Sequence, residues 1–169
     1  MAVQLKKRLP DGSTRPWTLT EIIQGKPVDR PTHVMFVHFP IAFYIGALLI
    51  DVVSRLGTFP SAPLMATWLI LGAFIGTVAA ATTGLVDRST MRPGSKIRKK
   101  ATTHMLVQLA AAVIFVVVFA IRWGSRHDPK ASWLWIVLEL IGALIVSVGA
   151  DLGGQMVYKM GFRVGPGEE

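Results

Sequence analysis

The stretch ATTHMLVQLAAAVIFVVVFAI, residues 101–121, decides the fold of this chain. It contains no charged side chain, and at about 1.5 Å of rise per residue a helix of this length crosses a hydrocarbon core of about 30 Å. Three similar stretches are residues 31–50, 63–86 and 131–150, and a single acid, Glu139, interrupts them. The mean hydropathy is +0.49. The sequence therefore predicts an all-α integral membrane protein built as a four-helix bundle.

The chain is organised as one membrane domain with short polar ends. We expect an N-terminal segment at residues 1–30, the four-helix domain at residues 31–157 and a tail at residues 158–169. The spans are predicted at about residues 33–55, 63–86, 101–122 and 131–153. Thr18 and Glu21 have capping-box spacing. This spacing predicts a short amphipathic helix between Leu19 and Gln24 that lies along the membrane surface.

The distribution of positive charge indicates the orientation in the membrane. The chain carries 18 Lys and Arg against 10 Asp and Glu, a net charge of +8. One side of the membrane receives most of the basic residues if the spans alternate: Lys6, Lys7, Arg8, Arg15, Lys26, Arg30, Arg88, Arg92, Lys96, Arg98, Lys99, Lys100, Lys159 and Arg163. The other side receives only Arg55, Arg122, Arg126 and Lys130. Because Lys and Arg in short loops stay in the cytoplasm, both termini are predicted to be cytoplasmic. We expect anionic lipid headgroups, and not nucleic acid, as the counter-charge.

A weak internal repeat relates the first two spans to the last two. Gly-Ala followed by a later Gly occurs in the second and fourth spans, and a histidine opens the first and third. The matching residues are Gly72, Ala73 and Gly84 with Gly142, Ala143 and Gly154, and His38 with His104. This pattern predicts two helical hairpins of the same orientation, related as a parallel repeat.

Candidate ligands gather near the cytoplasmic ends of the spans. His38, His104 and Asp151 lie within about two helical turns of that side, and His33 and Asp87 lie at its rim. Neutral imidazole binds haem iron, zinc, copper or non-haem iron, and a nearby carboxylate can orient the ring. Alanines beside the histidines leave room for a flat ligand, although they equally allow close helix packing. His38 and His104 are candidate ligands, and an interhelical hydrogen bond is the usual role of a single histidine inside a membrane span.

Two acids lie toward the other side of the membrane. Asp51 has Arg55 at i+4, which is the spacing of an ordinary helix pair. Glu139 lies about 12 Å inside the fourth span at 1.5 Å per residue. Because an ionised acid at that depth is costly, we expect Glu139 to be protonated or paired with Arg122 or Arg55.

Several segments together resemble a bacterial membrane family. They are EIIQGKP at residues 21–27, RPTHVMFVHFPIA at 30–42, TGLVD at 83–87, TH at 103–104 and LGGQMVYKMGFRVG at 152–165. With Asp51 late in the first span, this pattern is similar to that of the domain of unknown function 2231 family. The resemblance implies a four-span bundle in the bacterial cytoplasmic (inner) membrane. Arg30 and Met160 stand where the family has histidine, so a site that needs either imidazole is altered here.

Three functional hypotheses follow. Some relatives carry Rieske-type or cytochrome-like domains, which implies a redox or electron-transfer subunit with other membrane redox proteins as partners. In this hypothesis b-type haem lies between His38 and His104, with His33, Asp87 and Asp151 around it. The second hypothesis is a non-catalytic accessory or scaffold protein whose polar layer holds the helices in register. The third is a His/Asp site for zinc or non-haem iron in the same cluster.

Other chemistries find no support in the sequence. The chain has no cysteine, which excludes thiolate metal sites and iron–sulfur ligation by this chain alone. It has no nucleophile–base motif, phosphate-binding loop or carboxylate pair with hydrolytic spacing. An independent catalytic activity is therefore not expected, and homo-oligomerisation in the lipid bilayer is left open.

Overall fold

The computed structural model describes residues 6–57 and 59–164. Its elements, in chain order, are strand β1 Lys7–Arg8, strand β2 Thr14–Arg15, helix α1 Leu19–Ile23, a 3-10 helix Lys26–Val28, and helices α2 Thr32–Leu56, α3 Ala62–Ser89, α4 Lys96–Arg122 and α5 Trp133–Tyr158. Helices α2 to α5 are all long and apolar enough to cross a membrane. The predicted all-α four-helix bundle is confirmed.

The long helices pair into two antiparallel hairpins, α2 with α3 and α4 with α5. Helix α2 also packs on α5, and α3 on α4, which closes the bundle. The starts of α2 and α4 and the ends of α3 and α5 meet at one end of the bundle. We call it the basic end, since Arg88, Lys96, Lys100 and Lys159 lie there. The opposite end holds the α2–α3 and α4–α5 connections.

Small side chains allow the helices to approach closely along the bundle axis. Ala47 on α2, Ala66 and Ala73 on α3, and Ala111 on α4 are completely buried. In a bilayer the lipid tails are as apolar as leucine, so helices associate by close van der Waals contact of this kind. The core of the bundle therefore combines these alanines with larger buried side chains such as Ile70, Phe115 and Val118.

The two hairpins repeat one aromatic contact. A Cβ atom on Gly72 would lie 3.1 Å from the Phe43 ring, and one on Gly142 would lie 2.7 Å from the Phe115 ring. In each hairpin the first helix thus presses a phenylalanine onto a glycine of the second. The ring of Phe115 also stacks on that of Tyr44, with centroids 3.9 Å apart. The contact of a phenylalanine with Gly72 or Gly142 is therefore one that the two hairpins share.

The N-terminal segment folds onto the basic end of the bundle. The predicted capping box is confirmed: the Glu21 amide donates to Thr18 Oγ1 at 3.3 Å, and the Thr18 amide donates to Glu21 Oε2 at 3.1 Å. The Arg15 guanidinium and the Lys7 ammonium bind the same carboxylate, each at 2.8 Å. These two cations hold the pKa of Glu21 well below its usual range. Gln24 Nε2 then donates to Thr90 Oγ1 at 3.1 Å, which ties α1 to the end of α3.

Candidate functional site

Two histidines near the basic end are held in the same way, one in each hairpin. His33 on α2 hydrogen-bonds through Nδ1 to the carbonyl oxygen of Ala80 on α3, at 2.9 Å. His104 on α4 hydrogen-bonds through Nδ1 to the carbonyl oxygen of Gly149 on α5, at 2.7 Å. Because a carbonyl oxygen only accepts, both Nδ1 atoms carry the proton. In a neutral ring Nε2 then keeps a lone pair for a ligand.

A glycine supports the position of each imidazole ring. A Cβ atom on Gly84 would lie 2.9 Å from His33 Cε1, and one on Gly153 would lie 3.3 Å from His104 Cε1. Gly84 lies one helical turn after Ala80, and Gly153 lies one helical turn after Gly149. Ala80 and Gly149 are the residues whose carbonyl oxygens bind the two histidines. The structural equivalent of His104 is therefore His33 and not His38, and that of Gly84 is Gly153. Gly154 faces open space instead.

The two imidazoles meet across the interface between the hairpins. Their ring centroids are 6.2 Å apart and their planes are nearly perpendicular, at 89°. Both rings line a cavity of about 320 Å³. The exposed side chains of Leu85 on α3 and Leu109 on α4 also line it, so the cavity opens sideways between these helices. On a membrane-spanning bundle, that opening faces the lipid.

The cavity wall is mainly apolar, with polar groups at two levels. Deep in the bundle, the Tyr44 hydroxyl lies 3.1 Å from Thr77 Oγ1. At the basic end Asp87 lines the cavity, but its carboxylate accepts a hydrogen bond from Arg163 at 2.5 Å. Arg88 lines the same level and donates from Nε to Thr102 at 2.9 Å. The cavity is thus polar where it approaches the basic end of the bundle. Deeper in the bundle, its wall is suited to an apolar ligand.

The structure brings together three of the five predicted site residues. His33, His104 and Asp87 line the cavity, whereas His38 and Asp151 do not. His38 is exposed because it follows His33 by five residues, which turns it about 140° around the helix. Asp151 is exposed and hydrogen-bonds to Gln155 on its own helix at 2.5 Å. The expected pairing of His38 with His104 is therefore not formed, and His33 takes the place of His38.

A metal site with several protein ligands is not assembled in the described part of the chain. Among residues 6–57 and 59–164, no three His, Asp or Glu side chains lie close enough to hold a metal ion. The His/Asp cluster expected for zinc or non-haem iron therefore does not form from these residues. Two imidazoles on facing helices are a different donor set, which is the one that haem iron uses in helix bundles.

A second polar group, which we call the arginine cluster, lies at the opposite end and consists of Asp51, Arg122 and Glu139. All three side chains are completely buried. Arg122 Nη1 lies 2.7 Å from Glu139 Oε1 and 2.8 Å from Asp51 Oδ2. Its Nη2 donates to Asp51 Oδ1 at 3.0 Å and to the Pro63 carbonyl at 2.8 Å. The expected pair of Asp51 with Arg55 does not form, since the Arg55 guanidinium lies 5.1 Å above the Trp133 ring.

Fold and cavity define a class of protein: a helical membrane protein whose four apolar helices enclose a histidine-lined cavity near one end. The chain belongs to the family described as predicted membrane protein (DUF2231), whose sequence model matches residues 29–166. The match covers all four long helices. No curated protein and no solved structure matches the chain. The family membership expected from the sequence motifs is confirmed.

Proposed function

We propose that this protein is a membrane redox subunit that binds b-type haem between His33 and His104. The observation that carries the proposal is the matched pair of imidazoles. Each ring is held through Nδ1 by a carbonyl of the neighbouring helix, and the two rings line one cavity at a centroid separation of 6.2 Å. A hydrogen bond of this kind sets the ring orientation and makes Nε2 a better donor to a metal.

The cavity lining agrees with a flat, mostly apolar ligand. Ala80, Gly84 and Ala101 place little side-chain volume beside the rings. The opening between α3 and α4 leaves space for a ligand that extends beyond the cavity itself. Arg88 at the basic end offers a guanidinium for acidic groups of the ligand. Haem bound by two imidazoles supplies one-electron transfer, with a potential tuned by burial and hydrogen bonding.

The proposal also includes the orientation and setting of the protein. The basic end faces the cytoplasm of a bacterial cell, because the short segments at that end carry most of the Lys and Arg residues. The haem site then lies in the cytoplasmic half of the inner membrane. Its sideways opening allows exchange with partners that reside in the membrane, such as other redox proteins.

An absorption spectrum of the detergent-purified protein, oxidised and then reduced with dithionite, tests the haem proposal. Expression in haem-replete cells should yield the sharp reduced-state bands of low-spin haem. His33→Ala and His104→Ala should each abolish them. His38→Ala is the matched control, since His38 is exposed on the same helix as His33, and it should keep the spectrum. A featureless wild-type spectrum, or equal loss in His38→Ala, would overturn the proposal.

The second candidate is a non-catalytic accessory or scaffold protein. One observation favours it: both histidines already bond to a neighbouring helix, so each can serve as a structural link within its hairpin. In that case His33→Ala and His104→Ala lower the melting temperature of a protein that carries no haem bands. If the haem proposal is correct, wild-type protein carries haem in a ratio near one per chain, which distinguishes the two candidates.

A further inference from the structure

The arginine cluster contains more carboxylate than its single cation neutralises. Asp51 on α2 and Glu139 on α5 both contact Arg122 on α4, and all three side chains have no exposed surface. With both acids ionised, the cluster would carry a net negative charge inside a membrane-spanning bundle. Buried charges that lack a counter-charge are strongly unfavourable in a bilayer. The cluster is neutral only if one of the two carboxyl groups carries a proton, because Arg122 neutralises only one carboxylate.

The charged groups around the cluster do not supply that balance. Helix α3 contributes the carbonyl oxygen of Pro63, which accepts from Arg122 and adds no charge. On α2, the Arg55 guanidinium lies over the Trp133 ring, and its Nε has no hydrogen-bond partner within residues 6–57 and 59–164. The Pro63 carbonyl and the Arg55 guanidinium therefore do not neutralise the two carboxyl groups. Among the described residues, Arg122 is the cation that contacts the two acids.

The hydrogen bonding of the two acids differs. Asp51 has both oxygens within 3.0 Å of the guanidinium, at Nη2 and Nη1. Glu139 contacts it through Oε1, whereas the buried Glu139 Oε2 has no hydrogen-bond partner in the described part of the chain. Arg122 Nη1 is close to Asp51 Oδ2, at 2.8 Å, but is not aligned to donate to it, so this oxygen also has no hydrogen-bond donor among the described residues. The two carboxyl groups are neighbours, because Arg122 Nη1 contacts both Glu139 Oε1, at 2.7 Å, and Asp51 Oδ2, at 2.8 Å. Two ionised carboxylates cannot hydrogen-bond to each other, whereas an acid and a carboxylate can.

We infer that the arginine cluster is a proton-binding site, in which Glu139 Oε2 holds a proton and donates it to Asp51 Oδ2. Asp51 is then the carboxylate that neutralises Arg122, and Glu139 is a neutral acid. The proton gives both unpartnered oxygens a hydrogen bond and makes the cluster neutral. It lies at the opposite end from the histidine cavity, so this inference does not depend on haem binding.

Two variants distinguish the roles of the acids. Glu139→Gln replaces a neutral acid with a neutral amide of the same shape, whose NH₂ group can still donate to Asp51. Asp51→Asn removes the charge that neutralises Arg122. We expect Glu139→Gln to keep a melting temperature close to that of the wild type in detergent at pH 7, and Asp51→Asn to lower it strongly. Equal and large losses in both variants would contradict the inference.

Infrared spectroscopy detects the proton directly and does not require either variant to be stable at high temperature. At pH 7 the wild type should show the carbonyl band of a protonated carboxylic acid, which shifts in deuterium oxide. Glu139→Gln should lack this band, and Glu21→Gln should keep it, because Glu21 is an ionised carboxylate bound by Lys7 and Arg15. A wild-type spectrum without the band, or a band that survives in Glu139→Gln, would overturn the inference.

Discussion

Asp51 and Arg122 form a fully buried ion pair between residues 71 positions apart in the sequence. His33 and His104 have the same separation. If the second hairpin is aligned with the first at this offset of 71 residues, Asp51 and Arg122 occupy equivalent positions. The acid of the first hairpin therefore faces the base of the second. The histidine pair lies at the basic end and the ion pair lies at the opposite end. Each pair joins α2 of the first hairpin to α4 of the second, so the two pairs connect the hairpins at both ends.

Removing the charge of Arg122 should destabilise the bundle. Arg122→Gln leaves a buried carboxylate without a cation, which typically costs about 3–5 kcal/mol in the free energy of unfolding. Lys130→Gln is the control, because it removes one positive charge from an exposed position at the same end and should change stability by less than about 0.5 kcal/mol. Unfolding in mixed detergent, followed by circular dichroism, measures both. Similar values for the two variants would show that the buried pair does not stabilise the fold.

A methyl group at Gly84 should displace the His33 ring. The added Cβ would lie 2.9 Å from His33 Cε1, so the ring must move away from the Ala80 carbonyl. We expect Gly84→Ala to lower the free energy of unfolding by about 1–3 kcal/mol, as overpacking usually does. Gly154→Ala meets open space inside a helix and should be neutral or stabilising by up to about 1 kcal/mol. The same unfolding assay compares them, and a Gly84→Ala variant as stable as Gly154→Ala would be inconsistent with this contact.

Filling the cavity should exclude a ligand without removing either histidine. Ala112 lines the cavity, whereas Ala110 is exposed on the same helix and does not. We expect Ala112→Phe to reduce the haem content per chain at least about tenfold, equal to a loss of about 1.4 kcal/mol in binding. Ala110→Phe should bind as the wild type does. Haem is quantified by extraction from purified protein, and equal content in both variants would argue for a ligand site elsewhere.

The N-terminal segment should detach from the bundle only in strong acid. Lys7 and Arg15 lower the pKa of Glu21 from its ordinary value of 4.5, so the ionised carboxylate favours the folded segment. This contribution is complete above about pH 4.5 and is lost as the pH falls toward the folded-state pKa. Amide hydrogen exchange of α1, read by mass spectrometry, should therefore stay slow at mildly acidic pH.

A variant separates the role of this ion pair from that of the rest of the segment. Glu21→Gln should increase exchange in α1 already at neutral pH, because the amide cannot attract the two cations. Asp11→Asn is the matched control, since the exposed Asp11 carboxylate accepts its hydrogen bonds from nearby Ser13. Unchanged exchange in Glu21→Gln would mean that the ion pairs do not hold the segment.

The orientation of the bundle can be measured with single cysteines, since the chain has none. Lys96 at the basic end and Asp128 at the opposite end are both exposed. A membrane-impermeant maleimide added to intact bacterial spheroplasts should label Asp128→Cys and not Lys96→Cys, which becomes labelled only after lysis. The reverse pattern would place the basic end outside the cytoplasm.

The candidate site was only partly predictable. His104 and the layer near the basic end follow from the position of polar residues within apolar spans. The choice between His33 and His38 does not, because five residues of helix place them on different faces and only packing decides which face is internal. The hydrogen-bond partners of His33 Nδ1 and His104 Nδ1 could not be predicted either. They are main-chain carbonyl groups of α3 and α5, which every residue has, so no residue type identifies them.

The sequence by itself determined the four apolar helices, the capping box of Thr18 and Glu21, and the uneven distribution of positive charge. These features depend on composition and on residues within one turn of each other. Only the tertiary structure decided that His33 meets His104 and that Arg122 binds Asp51 and Glu139. Such contacts depend on how each helix is rotated about its axis, and this rotation is set by the close packing of small side chains against the neighbouring helices.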